Sequence, residues 1–437
     1  MTVTSEWPQP LLQESIRHSS CPFQTNCVGA VVLSIQNHQL RQKNWLPRLQ
    51  EKGGKLNGMP SHLTVKPCLS MSTGCISRIQ FSEDGKLILT LGDNARVWNA
   101  ESGQPVTPEM GTRSVYRAAS LSPDGKLIAV IDNARPKGDR YGVKVWSVEQ
   151  SPHLAAKLDV ESPVFLQFDP SGDRLLVVAD TGACVWGLRK GRRLFKEVAL
   201  ENGGFGFSGN FLCAEISPLG DIFVTTRLRN DNCARMWHMD SGEPWARPLV
   251  HKSRVQCVAF NEGGNYVVTG SADCTTRVWD TLTGEPVSGS LQHKGQVACL
   301  SLSPDLDPLR IATITDGRST PDVLWEIFAD GATGTPLRCS ISRYSHCDKF
   351  GCVAFDQRGS MLAVANHHID ESHGDGKTGA CWWMIDAKTF EPVVPVMQTD
   401  WHVREIAFSP DCRKVVAGCG WAYGGGCATV YQIGENG

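Results

Sequence analysis

His251, Ser271, Asp273 and Trp279 fall within the stretch His251–Pro286. An imidazole, a hydroxyl and a carboxylate are the residue types of a nucleophile relay. In such a relay the carboxylate orients the imidazole, and the imidazole deprotonates the hydroxyl. The same groups, joined by an indole N–H, can instead satisfy one another as a buried hydrogen-bonded chain, with Thr269 as the alternative hydroxyl. The second reading is the stronger. The chain contains no Gly-x-Ser-x-Gly elbow, and its acidic residues fall mostly in turns.

Three further constellations have suggestive spacing. Gly204-x-Gly206-x-x-Gly209 has the bare glycine pattern of a phosphate-cradling loop, but no helix pattern follows it. Gly376-Lys377-Thr378 ends like a P-loop, yet Glu371 stands where the first glycine is required. His367, His368, Asp370, His373 and Asp375 carry imidazoles and carboxylates suited to a transition metal. Their spacing fits no established site, so a solvated polar loop over Asn366–Gly379 is expected, with no metal and no cofactor.

The elements that must position these groups are short β-patterned runs. Val255–Phe260, Tyr266–Ser271 and Thr276–Asp280 are rich in Val, Tyr, Phe and Thr, and Glu262-Gly263-Gly264 and Ala272-Asp273-Cys274 are turn chemistry between them. The unit recurs. A first-turn glycine returns at Gly85, Gly125, Gly172, Gly220, Gly264 and Gly359, a period of roughly 40–50 residues, which is that of propeller blades rather than helical solenoids. The residue closing the third strand is Trp98, Trp146, Trp186, Trp237, Trp279 and Trp325, then Ile385 and Tyr431 in the last two units. One such unit cannot bury both faces of its small sheet, so neighbours must supply the stability.

His251, Val255, Val258 and Phe260, with Asp273 six residues before Trp279-Asp280, closely resemble a WD40 repeat. His293 and His346 begin two further units with the same spacing. The resemblance covers roughly residues 61–437 and implies an all-β WD40 β-propeller. Eight four-stranded blades are expected, with seven as the alternative. It also implies that His251, Ser271, Asp273 and Trp279 form a structural tetrad. The last unit ends after its third strand, and closed propellers of this family usually take the missing outer strand from the N-terminal side, here His62–Leu69. The phrasing of residues 277–297 is similar to repeats of large bacterial WD40 proteins, some of which join propellers to kinase domains. The function implied is a non-catalytic protein–protein interaction scaffold. The alternatives are a propeller enzyme or small-ligand sensor using the central channel, or a regulatory fragment of a WD40-containing signalling kinase. In this family, the loops entering a repeat and those between its second and third strands share one face. That face would gather Trp401, His402, Trp421, Tyr423, His367, His368 and His373 into a surface for a protein or peptide partner.

Composition is consistent with that class. The 437 residues carry a net charge of −2, so no global field draws nucleic acid or an anionic membrane. No run approaches the ~18–20 apolar residues of a membrane span, and the N-terminus lacks a secretory pattern. Seventeen cysteines are an odd number. Four of them, Cys213, Cys257, Cys299 and Cys352, recur at one place in successive units, so they are expected as reduced, small buried hydrophobes in a cytoplasmic monomer. Residues 1–60 carry no repeat and are expected to form a poorly ordered leader.

Overall fold

The computed structural model describes residues 63–435 apart from 73–75, 112–117, 133–141, 150–152, 180–181, 200–210, 228–230, 305–307, 316–322, 328–336, 339–351, 368–379, 390, 400–401 and 421–425. The expected leader therefore lies outside the described residues.

Each repeat folds as an antiparallel sheet whose strands lie in chain order. In the fifth, Val255–Phe260, Tyr266–Ser271, Thr275–Asp280 and Leu291–Gln292 follow one another across the sheet. Among the described residues there are eight such sheets, here blades 1 to 8. Their first strands are Arg78–Phe81, Ala119–Leu121, Pro163–Phe168, Phe211–Ile216, Val255–Phe260, Val297–Leu302, Cys352–Phe355 and Val403–Phe408. Each first strand packs against the next, and that of blade 8 returns to that of blade 1. The result is a closed ring around a central channel.

Eight apolar clusters fill the eight gaps between blades. Leu89 and Val97 of blade 1 meet Leu121 and Ile128 of blade 2. The series runs on to Val416 and Val430 of blade 8, which meet Ile79 and Ile88 of blade 1. There is thus no single core. Each blade buries one face against each neighbour, as quasi-repeat stacking requires.

The seam is closed by Leu63–Ser72. This strand pairs antiparallel with Gly426–Glu435, from Leu63 opposite Glu435 to Ser72 opposite Cys427. Blade 8 thereby gains its outer strand from the N-terminal side, as expected, and its otherwise open edge is covered.

Between first and second strands the chain turns through a left-handed residue. Gly85, Gly125, Gly172, Gly220, Gly264 and Gly359 have φ between 62° and 72°. Blade 8 places Cys412 there, at φ 59°, a conformation a Cβ disfavours.

The inner edge of each sheet faces the channel, and unpaired N–H groups there need acceptors. They are met from the preceding blade. Gln80 accepts from the Leu121 N–H at 3.0 Å, Ser120 from Phe168 at 3.2 Å, Gln167 from Ile216 at 3.2 Å and Ser301 from Phe355 at 3.2 Å. Glu215 accepts from Phe260, and Glu405 from Ile79 across the seam. A polar side chain near the end of one inner strand thus stitches the next blade to it.

Candidate functional site

The relay in blade 5 is assembled from two strands, the loop entering the blade and the turn between its second and third strands. Trp279, on the third strand, donates its indole N–H to Thr269 Oγ1 at 2.8 Å. Thr269 Oγ1 lies 2.7 Å from His251 Nε2, and His251 Nδ1 lies 3.1 Å from Asp273. Burial lowers the His251 pKa despite Asp273 beside it, so the ring is neutral near pH 7. With Nδ1–H donating to Asp273, Nε2 is the acceptor and Thr269 donates its hydroxyl to it. Every polar atom in the chain is then satisfied in one direction. Burial opposes ionisation of Asp273, but bonds from Thr275 and the Lys252 N–H, with His251 beside it, hold its carboxyl down at about 2.

Ser271 is not the hydroxyl of this relay. Its Oγ bonds the carbonyls of Ser253 at 3.1 Å and Arg254 at 3.0 Å, and accepts from the Asp273 N–H. The reason is register. Trp279 stands opposite Val267, so the hydroxyl within indole reach is two residues on, at 269, and not four on, at 271.

Chemically, a hydroxyl 2.7 Å from an imidazole resembles a nucleophile and its base, but Thr269 is 0% exposed. A hydroxyl so enclosed is out of a substrate's reach. Thr269→Val should cost about 1–3 kcal/mol, because an indole N–H and an imidazole nitrogen lose their partner. Chemical denaturation would measure this, and Thr269→Ser should recover most of the loss.

The same register explains the other blades. Trp98 donates to Thr90 at 2.8 Å and Trp237 to Thr225 at 3.0 Å. In blades 2 and 3 the equivalent position holds Val130 and Val177. The Trp186 indole N–H finds no protein acceptor among the described residues, and Arg193 lies over its ring at 5.5 Å instead.

The expected partner surface is only partly visible. Trp401, Trp421, Tyr423, His368 and His373 lie outside the described residues. His402 is half-buried, and its carbonyl accepts the Gly420 N–H at 2.9 Å. His402 therefore sits beside the end of the strand Lys414–Gly420. His367 does not belong to a loop: it ends the strand Met361–His367, paired with Ala380. Among the described residues no group of three or more His, Cys, Asp or Glu could hold a metal.

Charged groups in the channel escaped the sequence reading. Arg78 of blade 1 holds its guanidinium 5.6 Å from the Phe165 ring of blade 3, within electrostatic reach of Glu215 of blade 4 and Glu405 of blade 8. Desolvation pushes the Glu215 carboxyl up to about 8, against the pull of the Phe260 N–H and Arg78. Desolvation likewise pushes Glu405 up to about 7. The repeated cysteines share this wall. Cys213, Cys257, Cys299 and Cys352 form no disulfide and are half-buried, and Cys213, Cys299 and Cys352 pack against the apolar clusters between blades. Burial raises the thiol pKa of Cys213 to about 12 and that of Cys257 and Cys352 well above the usual range. The one available signal was a glutamate inside an apolar inner-strand run, in FLCAEI and VREIAF.

Both glutamates bind a proton more tightly folded than unfolded. Their contribution to stability is complete below the unfolded value of 4.5 and is lost as pH rises through about 7 to 8. Denaturant midpoints should fall across that window, and Glu215→Gln should flatten the fall.

The comparisons bear directly on this geometry. The family model described as WD domain, G-beta repeat matches residues 246–280, the stretch that holds Asp273, Thr269 and Trp279. The chain is a β-propeller in which residues 246–280 match a WD40 repeat. The chain is 25% identical over 188 residues to angio-associated migratory cell protein of Homo sapiens, covering 42% of this chain and 39% of that one. It is 26% identical over 218 residues to eukaryotic translation initiation factor 3 subunit I of Eremothecium gossypii, covering 45% and 59%. The chain thus spans 39% and 59% of the length of these two curated relatives. Among the described residues no helix is long and apolar enough to cross a membrane.

Proposed function

We propose that this chain is a non-catalytic scaffold whose propeller loops and rim dock a protein or peptide partner. The observation that carries this reading is the sealed relay of blade 5, whose catalytic residue types are consumed in holding one blade together. A relative named as a subunit of a translation initiation factor supports a role in assembly. The surface formed by Trp401, His402, Trp421 and Tyr423, with His367, His368 and His373 nearby, is the proposed docking face. Trp and Tyr side chains are typical anchors of such faces. Partner capture by the Trp401→Ala, Trp421→Ala double variant, after confirming an unchanged melt, tests it. Lost capture supports the face, and retained capture places the interface elsewhere on the ring.

A second reading has its own observation. Arg78, Glu215 and Glu405 place a cation and two titratable carboxyls inside the channel, as a small-ligand sensor would need. Glu215→Gln that leaves partner capture intact separates the two.

A further inference from the structure

The outer strands of the blades differ in one respect that bears on docking. They are two residues long in blade 1 (Met110–Gly111), blade 3 (Arg192–Arg193 and Val198–Ala199), blade 4 (Leu249–Val250), blade 5 (Leu291–Gln292) and blade 6 (Leu337–Arg338). In blade 7 the outer strand has three residues, Met397–Thr399. Such short edges offer little for another chain to pair with. The closing strand of blade 8 has ten residues, but Pro67 removes an N–H in its middle and a register shift follows between Pro67 and Leu69. Proline and irregular register both block edge pairing.

Blade 2 has neither the short edge nor the proline, and its one register shift falls near the start of the strand, at Ala155, leaving residues 156–159 in regular pairing. Its outer strand, Leu154–Asp159, has six residues and no proline. Leu154, Ala155, Lys157 and Asp159 are exposed, while Leu158 is anchored in the core. Asp159 offers its carbonyl away from the sheet, where Arg193 of blade 3 donates to it at 2.7 Å. Because backbone groups alternate along a strand, the N–H and C=O of Lys157 also face outward.

A cleft of about 420 Å³ opens beside the start of this strand, lined in part by His153, Ala155, Glu149, Asp124, Asp173 and Arg189. Its cations are already matched. Lys126 pairs with Asp124 at 3.2 Å, and Arg189 with Asp173 at 2.7 Å. The Glu149 carboxylate has no such partner among the described residues, so the cleft is left with an unmatched negative charge.

We propose that the outer edge of blade 2 docks an extended peptide segment of another protein, added antiparallel as a fifth strand. The segment carries a basic residue opposite Asp159, an acidic one opposite Lys157, and a second basic residue near its C-terminal end that enters the cleft at Glu149. This rests on the scaffold reading and names its partner class. Main-chain bonds to an exposed edge give affinity, and the alternating side chains give selectivity. Antiparallel pairing is the mode of the sheet it joins, and it is slightly the more stable. A second copy of this chain fits less well. Centred on Lys157, it sets like charges opposite one another and brings no cation to Glu149.

The test is a fluorescent array of synthetic peptides with strand-forming residues at the free positions. One set has the basic–acidic–basic pattern above, and the other has every charge inverted. The full chain should retain the first set and not the second. Amide exchange should slow at Lys157 and Asp159. Lys157→Pro removes an outward N–H without touching a bond inside the sheet, so it should weaken retention about tenfold with an unchanged melt. Lys157→Glu should shift preference toward a basic residue opposite it. The proposal is overturned if no patterned peptide is retained, or if retention ignores both variants. A dimer by light scattering that Lys157→Pro converts to monomer also overturns it. Native-partner capture by wild type and Lys157→Pro separates the two readings. Equal capture with no peptide retained rejects the edge and leaves the scaffold standing, whereas no capture by either rejects the scaffold itself.

Discussion

Deleting residues 1–72 should lower the melting temperature sharply, whereas deleting residues 1–60 should leave it nearly unchanged. Only the longer deletion removes the strand Leu63–Ser72 and its pairing with Gly426–Glu435. Met71 goes with it, a side chain 1% exposed between blades 8 and 1. Emptying that one site costs about 2–5 kcal/mol on its own. The loss of main-chain pairing adds to it, and a ten-residue strand edge is left open to other chains. Calorimetry beside size exclusion would read both effects, as a lower transition and as association. Identical transitions for the two deletions would mean that the strand does not hold the ring shut.

Trp279→Ala should destabilise the protein by about 3–5 kcal/mol, the usual cost of emptying a large aromatic site. Trp279 is 5% exposed and packs in the cluster that joins blade 5 to Ile222 and Val224 of blade 4. Its removal also strips Thr269 of the donor at 2.8 Å, so the relay to His251 loosens at the same time. The effect should exceed that of Thr269→Val, which keeps the ring in place. Denaturant midpoints for the two variants make the comparison, and a Trp279→Ala melt equal to wild type would show that the indole is not part of the packing.

The strands and their order within each repeat were legible because they are written locally and repeated. Alternating Val and Phe, a turn glycine and a closing Trp give each unit its hairpins, whatever surrounds it. The His–Asp–Trp spacing in blade 5 was legible for the same reason. The choice between Thr269 and Ser271 was not. Both are hydroxyls on one strand face, and only the pairing of Val267 with Trp279 decides which one the indole meets.

The channel was decided by the tertiary structure alone. Arg78, Phe165, Glu215 and Glu405 come from four blades and lie far apart in the chain, so no local spacing could bring them together. The open edge of blade 2 belongs to the same class. LAAKLD reads as an ordinary short strand, and its significance lies in being outermost where six other blades end in two or three residues. Local sequence determines which segments become strands, because propensity and turn chemistry act over a few residues. Which edges and charges meet depends on ring closure, which no single repeat encodes.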